Sequence, residues 1–206
     1  MCIRDRLSTV PKGLWVSAEV SAWSGTLGRV DIDKLVAAGT RRVRPEDAGE
    51  LFTLQLAAWV REGLEAQRID IPPLLENLDD VTTQVNDPAL TIWIYRAPSA
   101  RLLATVRTSL LSPTTAFLGR LGVVPDCAGQ GLGGAMLRLA ESRVPLAVTR
   151  MELVTGARSL SNHRFYQRRG YRFIPLAPDD QDHPVVRLAK DLPESRVTHD
   201  TVDEGS

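Results

Sequence analysis

Val124-Pro-Asp-Cys-Ala-Gly-Gln-Gly-Leu-Gly-Gly134 stands between a run with strand character, Ala116 to Val124, and a run with helix character, roughly Gly133 to Val144. Gly129, Gly131, Gly133 and Gly134 strip side chains from a tight turn. Glycine permits the positive φ that lets successive N–H groups point into one concavity. The following helix adds unsatisfied N–H groups and the positive end of its dipole. Strand, loop and helix start together form a site for a phosphate or pyrophosphate. The loop is not a Walker A loop, because no Gly-Lys-Ser/Thr follows. Gly129, Gly131 and Gly134 fit G-x-G-x-x-G, but no acidic residue ends a strand about 20 residues on. Glu152 lies near that distance, inside a strand. On the glycines alone, a turn that merely joins two elements stays open as a reading.

Elements on both sides of this loop alternate. Arg41 to Arg44 reads as a short strand stopped by Pro45. Asp47 and Glu50 are spaced like a capping pair, and Leu51, Leu54 and Ala58, with Trp59 beside them, share a helix face. Asp70-Ile-Pro-Pro73 starts a second helix, with Leu74, Leu78, Val81 and Val85 as one apolar stripe. After Asn86-Asp87-Pro88 the period drops to two. Ile92 to Tyr95, Leu102 to Leu110 and Ala116 to Val124 are three strands joined by short turns, hence an antiparallel meander. Downstream come a strand at Val148 to Val154, a helix at Ser161 to Arg169, and strands at Tyr171 to Leu176 and Val185 to Leu188. Crossovers through helices imply parallel pairing near the middle of the sheet.

Composition narrows the function. The chain has 206 residues, with 25 basic and 25 acidic side chains and no net charge. That balance excludes a polyanion binder working by bulk charge. Cys2 and Cys127 make neither a disulfide framework nor a metal-ligand spacing, so a reducing, cytoplasmic setting and no metal are expected. No apolar run approaches a membrane span. Residues 1–38 show no sustained period, apart from a short helical patch at Asp33 to Ala38, and read as a flexible extension. Residues 39–190 read as one domain and residues 191–206 as a disordered acidic tail.

The second informative segment is Asn162-His-Arg-Phe-Tyr-Gln-Arg-Arg-Gly-Tyr171. Asn162 and Tyr166 share a helix face, and Gly170 is a natural helix stop. A tyrosine on a helix is, taken alone, more often a packing residue than a catalyst. Together with the loop, however, the segment resembles the GNAT superfamily of acetyl-CoA-dependent N-acetyltransferases. In that family a strand ends in V-x-P, a Q/R-x-x-G-x-G/A loop holds the pyrophosphate, and N-x-x-x-Y-x-x-x-G-F/Y follows. This chain carries Leu121-Gly-Val-Val-Pro125, Gly131 and Gly133, then Asn162, Tyr166, Gly170 and Tyr171. Ala128 stands where the family has Gln or Arg, and Gln130 lies close to that position without matching it.

The resemblance implies an α/β fold: a mixed central sheet, an antiparallel meander joined to parallel strands, flanked by about four helices. It implies acetyl-CoA as co-substrate, with no metal and direct transfer to an amine. Leu121, Gly122, Val123 and Val124 would lie along the pantetheine arm. A backbone N–H of Val123 or Val124 would face the developing oxyanion. Gly129, Gln130, Gly131, Leu132, Gly133 and Gly134 would hold the phosphates, with Asn162 nearby. Tyr166 would protonate the leaving thiolate. The family's strand glutamate falls near Arg120 here, so Glu152 is the nearest acidic candidate for the base. An ion pair with Arg150 is its alternative role, and a water chain is a further option for the base.

Charge asymmetry bears on the acceptor. Glu46, Asp47, Glu50, Glu62, Glu65, Asp70, Glu76, Asp79 and Asp80 oppose only Arg61 and Arg68, an acidic wall suited to a cationic amine unless these are solvated helix faces. Arg158, Arg164, Arg168, Arg169 and Arg172 form a basic patch that would face the cofactor's phosphates or solvent. The acceptor is a small-molecule amine or a protein or peptide amine. No membrane is expected, nucleic acid is disfavoured, and a homodimer is left open. The alternatives are another acyl-CoA, or a CoA-binding regulatory module without transfer. An RNA-associated role for the arginine patch is the last of them, marked by a steep salt dependence.

Overall fold

In the computed structural model, which describes residues 31–67, 69–177 and 184–193, the drop from helical to alternating period after Asn86 marks the entry into the sheet. Strands β1 (Thr40–Arg42), β2 (Leu90–Arg96), β3 (Leu102–Ser112) and β4 (Thr115–Val123) pair antiparallel in sequence order. Strands β5 (Arg150–Gly156), β6 (Arg172–Ile174) and β7 (Val185–Asp191) complete a seven-stranded sheet of order β1-β2-β3-β4-β5-β7-β6. Parallel pairing occurs only between β4 and β5 among the described residues, through the crossover helix that follows the glycine loop. Strand β7 inserts between β5 and β6 and pairs antiparallel with both.

Six helices flank the sheet among the described residues: α1 (Ile32–Gly39), α2 (Ala48–Ala66), α3 (Pro72–Leu75), α4 (Leu78–Asn86), α5 (Leu132–Arg143) and α6 (Leu160–Gln167). The core lies between them and the sheet and includes Leu54, Val81, Ile94, Val106, Met136, Met151 and Leu188. The mixed sheet with flanking helices agrees with the sequence expectation. Helix α1 realises the short helical patch at Asp33 to Ala38. It buries Val36 in the core, so the compact unit begins at Ile32, upstream of residue 39. Leu192 is buried just beyond β7. The remainder of the expected extension, residues 1–30, and of the expected tail, residues 194–206, lies outside the described residues.

Two local readings change. The stripe Leu74, Leu78, Val81, Val85 is divided between α3 and α4. Glu76 is extended, and Asn77 restarts the helix by accepting from the amides of Asp79 and Asp80. The competing signal was a capping box, in which Asp80 accepts a bond from the Asn77 amide. Asp47 and Glu50, in turn, do not cap α2. The Asp47 carboxylate accepts from Arg41, Arg96 and the Arg44 amide, and Glu50 accepts from the Leu102 amide and Arg96. The helix start is therefore clamped to β1, β2 and β3 rather than capped locally.

Candidate active site

Strands β4 and β5 pair only at Thr115–Arg150, Ala116–Met151 and Phe117–Glu152. Beyond that point both strands continue without pairing to each other, so their facing edges diverge. The gap opens into a cleft of about 1240 Å³. That is somewhat larger than an ordinary small-molecule pocket and suits an extended ligand. Leu121, Gly122 and Val123 line one side, and Val154, Thr155 and Gly156 the other.

The ladder with β3 fixes which backbone groups face the gap. Val124 N donates to Leu103 O at 2.9 Å, so its N–H is spent inside the sheet. N–H directions alternate along a strand, so the Val123 N–H points the other way, into the gap. Of the two amides expected to face an oxyanion, Val123 is placed to do so and Val124 is not. Val124 is buried and does not line the cleft.

Gly131 is the N-cap of α5, with φ 91°, and Gly129 has φ 80°. The first helical bond runs from Ala135 N to Gly131 O, which leaves the N–H groups of Leu132, Gly133 and Gly134 without intrahelical acceptors. Gly129, Gly131, Leu132, Gly133 and Gly134 all line the cleft. Gln130 does not; its amide donates to Asp126 O at 3.3 Å. Space around Gly131 is open, with only Ile32 as near as 4.0 Å to the place a Cβ would occupy, so its requirement is conformational. Gly131→Ala should cost about 1–2 kcal/mol of stability and weaken binding of a phosphate-bearing ligand at the loop. Chemical denaturation and a ligand titration of the variant measure both.

Gly134 differs: it has no positive φ, and the atoms nearest to it belong to the end of a side chain. A Cβ there would meet Arg169 Nη2 at 2.6 Å. The Arg169 guanidinium lies over the Phe165 ring at 3.8 Å and donates from Nη1 to Phe165 O, while its Nε is buried without a partner among the described residues. Burial holds its pKa below the usual arginine value, and Arg138 and Arg168 push the same way. Arg138, Arg158, Arg168 and Arg169 line the cleft; Arg169 stands against the first turn of α5, whereas Arg138 is paired with Asp33 and Arg158 donates to Gln67. Ala128 brings no polar side chain to the loop, and Arg169 stands near its end instead. Of the sequence-defined basic patch, Arg164 and Arg172 are exposed and do not line the cleft. An unpartnered guanidinium N–H and a helix start with free amides fit a ligand carrying phosphates.

Helix α6 brings Asn162 and Tyr166 to the cleft. Asn162 Nδ2 donates to Thr155 Oγ1 at 3.2 Å. Tyr166 is buried edge-on against Phe165 and Tyr171, and its hydroxyl has no hydrogen-bond partner among the described residues. Burial, with a further push from Glu62, raises its pKa well above the ordinary tyrosine value. The phenol is therefore a protonated donor across the neutral range.

Glu152 is elsewhere. Its carboxylate is held by Arg150 at 2.7 Å and Arg187 at 2.9 Å, it does not line the cleft, and the arginines outweigh burial to lower its pKa. The ion-pair reading with Arg150 is the one the geometry supports. Sequence reasoning counted Glu62 only as part of the acidic wall; its Oε1 accepts from Gly156 N and Thr155 Oγ1, both at 3.3 Å, at the mouth of the gap. It missed Arg107 and gave Arg120 no role of its own, and both line the cleft. All three reach the cleft through packing, from α2, β3 and the β4 bulge.

The acidic wall is mostly spent on other partners. Asp47, Glu50 and Glu76 are engaged by arginines, and Asp80 accepts the capping bond at Asn77. Of the nine acids, Glu62, Glu65 and Asp70 line the cleft, and so do Arg61, Arg107 and Arg120. Among the described residues no group of His, Cys, Asp and Glu is arranged to hold a metal, and no helix is long and apolar enough to cross a membrane.

Solved structures share this architecture. An acetyltransferase of the GNAT family from Staphylococcus aureus Mu50 aligns with TM-score 0.60 at 14% identity, covering 75% of this chain and 98% of that one. The PaiA N-acetyltransferase of Thermoplasma acidophilum, solved in complex with coenzyme A, aligns with TM-score 0.59 at 14% identity, over 74% and 97%. A spermidine N-acetyltransferase SpeG chimera from Vibrio cholerae and hSSAT aligns with TM-score 0.58 at 13% identity, over 74% and 93%. At these identities the likeness is one of fold. No curated protein sequence is recognisably similar to the chain. Residues 50–171, which hold the diverging strands, the glycine loop and Tyr166, match the model of the Acetyltransferase (GNAT) family, and the chain is an acyltransferase belonging to that family.

Proposed function

We propose that this chain transfers an acetyl group from acetyl-CoA to a primary amine by direct attack. The observation that carries the reading is the gap between β4 and β5. Supporting it, Val123, whose N–H the strand alternation turns toward the gap, and the buried Tyr166, whose hydroxyl has no protein partner among the described residues, line the same cleft. Gly129 to Gly134, with Arg169, would hold the phosphates, and Leu121 to Val123 would flank the pantetheine arm. Bound there, acetyl-CoA supplies an activated thioester.

The chain's own residues supply orientation and proton management. The deprotonated amine forms a C–N bond to the acyl carbon, the C–S bond breaks, the thiolate takes one proton, and the proton released by the new amide nitrogen restores the donor. The Tyr166 hydroxyl is the donor for that proton, and its raised pKa keeps it loaded. The Val123 N–H faces the place where negative charge develops on the acyl oxygen. The base role read for Glu152 passes to Glu62, which borders the cleft and acts electrostatically on Tyr166. Its carboxylate would accept the proton that the ammonium form of the acceptor sheds before attack.

A thermal shift tests the cofactor half of this reading, with ATP and NADH as controls. Acetyl-CoA at about 100 times its dissociation constant adds ~2.7 kcal/mol, which is roughly 5–10 °C for a chain of this size. No shift with acetyl-CoA, or a larger one with ATP or NADH, would mean that the glycine loop serves another ligand.

A further inference from the structure

Two guanidinium groups, Arg107 and Arg120, line the cleft, and among the described residues only one carboxylate, Glu76, pairs with either. Arg107, on β3, donates from Nη1 to the neutral amide of Gln84 at 2.5 Å. Among the described residues no carboxylate lies within ion-pair distance of it, and Glu76 and Asp87 act on it only at longer range. Its Nε and Nη2 have no protein partner among these residues. They lie 3.8 Å from the position a Cβ would take on Gly119, so the absence of a side chain there leaves the guanidinium open to the cleft.

Arg120 is the neighbouring cation. It sits on β4 where the register against β3 shifts between Thr105 and Arg107, and it takes φ 50°. A non-glycine residue in the left-handed region costs about 1 kcal/mol, and such strain is typically held at sites with a task. Its Nη2 donates to Glu76, while its Nε is buried without a partner among the described residues. Glu76 is also taken by the Gln55 amide at 2.6 Å. One carboxylate thus serves Arg120, and no described carboxylate serves Arg107. Burial lowers the Arg107 pKa to about 10, and repulsion from Arg120 adds to this. A desolvated cation beside another cation is costly unless an anion arrives to complete it.

We infer that the acceptor is an amine that also carries a carboxylate, and that Arg107, aided by Arg120, binds that carboxylate. This rests on the acyl-transfer reading above. The open Nε and Nη2 of Arg107 form the edge that takes a carboxylate through two parallel bonds. Within ion-pair distance the two guanidiniums have only Glu76 among the described residues, so the open edge of Arg107 has room for one further carboxylate. The position also fits. Arg120 precedes Val123 by three strand residues, at most roughly 10 Å along β4, which is the scale of an amino acid or short peptide reaching from carboxylate to amine.

The test uses the whole chain saturated with CoA and reads thermal shifts. The probes are the twenty L-amino acids and a set of short peptides, each matched with the amine lacking its carboxylate. Inorganic phosphate is a separate arm. At least one carboxylate-bearing probe should raise the Tm by roughly 5 °C when present at about 100 times its dissociation constant, with its matched amine giving no shift. Arg107→Gln should abolish that rise while keeping the acetyl-CoA shift, which also shows that the variant folds. Arg107→Lys should weaken the response about 10-fold, because it keeps the charge and loses the fork. The inference is overturned if no carboxylate probe acts on a protein that acetyl-CoA stabilises, if matched amines act equally, if phosphate alone acts, or if Arg107→Gln responds like the wild type. Absence of any acetyl-CoA shift would instead sink the acyl-transfer reading. The carboxylate probes on the CoA-free protein would then decide the anion site by itself.

Discussion

Tyr166→Phe is expected to lower acetyl transfer about 100-fold and to leave acetyl-CoA binding intact, the usual scale for losing a general acid. The substitution removes one oxygen and keeps the ring. Packing against Phe165 and Tyr171 is edge-on and survives in phenylalanine. No described group loses a hydrogen-bond partner, because the hydroxyl has none among the described residues. Stability should therefore hold or rise slightly, which separates a chemical role from a structural one. Single-turnover transfer, measured with a thermal shift on the same preparation, makes the comparison. If turnover were unchanged, Tyr166 would drop out of the mechanism. If the variant lost acetyl-CoA binding as well, the hydroxyl would belong to cofactor binding and not to proton transfer alone.

The second large effect is on stability. Asp47→Asn should destabilise the protein by about 3 kcal/mol at neutral pH, a Tm drop of roughly 6–12 °C. The Asp47 side chain is 3% exposed and joins Arg41 of β1, Arg96 at the end of β2 and the Arg44 amide to the first turn of α2. The asparagine keeps the volume and removes the charge, and it turns an NH₂ group toward guanidinium donors. Arg41 and Arg96 are 35% and 23% exposed, so water softens the loss. The pH dependence has a definite sign. Burial alone would raise the Asp47 pKa, but the bonds from Arg41, Arg96 and Arg44 outweigh it and hold the folded value far below the unfolded one of about 3.9. The contribution is complete above that unfolded value and fades as pH falls through the folded one. The Tm gap between wild type and variant should stay constant from about pH 8 to about pH 5 and narrow below about pH 4. A gap independent of pH would mean that the clamp acts through shape and not charge.

That clamp also bears on function. Helix α2 carries Trp59 and Glu62, and a Cβ on Gly122 would meet the Trp59 ring at 2.6 Å. Loosening the start of α2 therefore disturbs the wall of the cleft on which Glu62 sits. Asp47→Asn is expected to change transfer less than stability, since Glu62 is anchored separately by Gly156 N and Thr155 Oγ1.

What the sequence by itself determined is local and periodic. Alternation from Ile92 onward, turns at Pro98-Ser99 and Ser112-Pro113, and the strand–glycine loop–helix order at Val124 to Gly134 specify the meander and the loop that follows it through backbone preferences alone. Asn162 and Tyr166 were legible because four residues of spacing put both on one helix face. Tertiary structure decided the rest, since it turns on pairings across long sequence separations. Parallel pairing that stops at Phe117 and Glu152 opens the gap and leaves the Val123 N–H free, while the β3 ladder consumes that of Val124. Glu152 and Glu62 look alike as acids in a chain. Only packing gives one of them to Arg150 and Arg187 and brings the other to the cleft beside Tyr166. Arg107 and Arg120 likewise gain meaning only when a bulge sets them side by side, because the cost of an unpartnered charge depends on the water and carboxylates that folding removes or supplies.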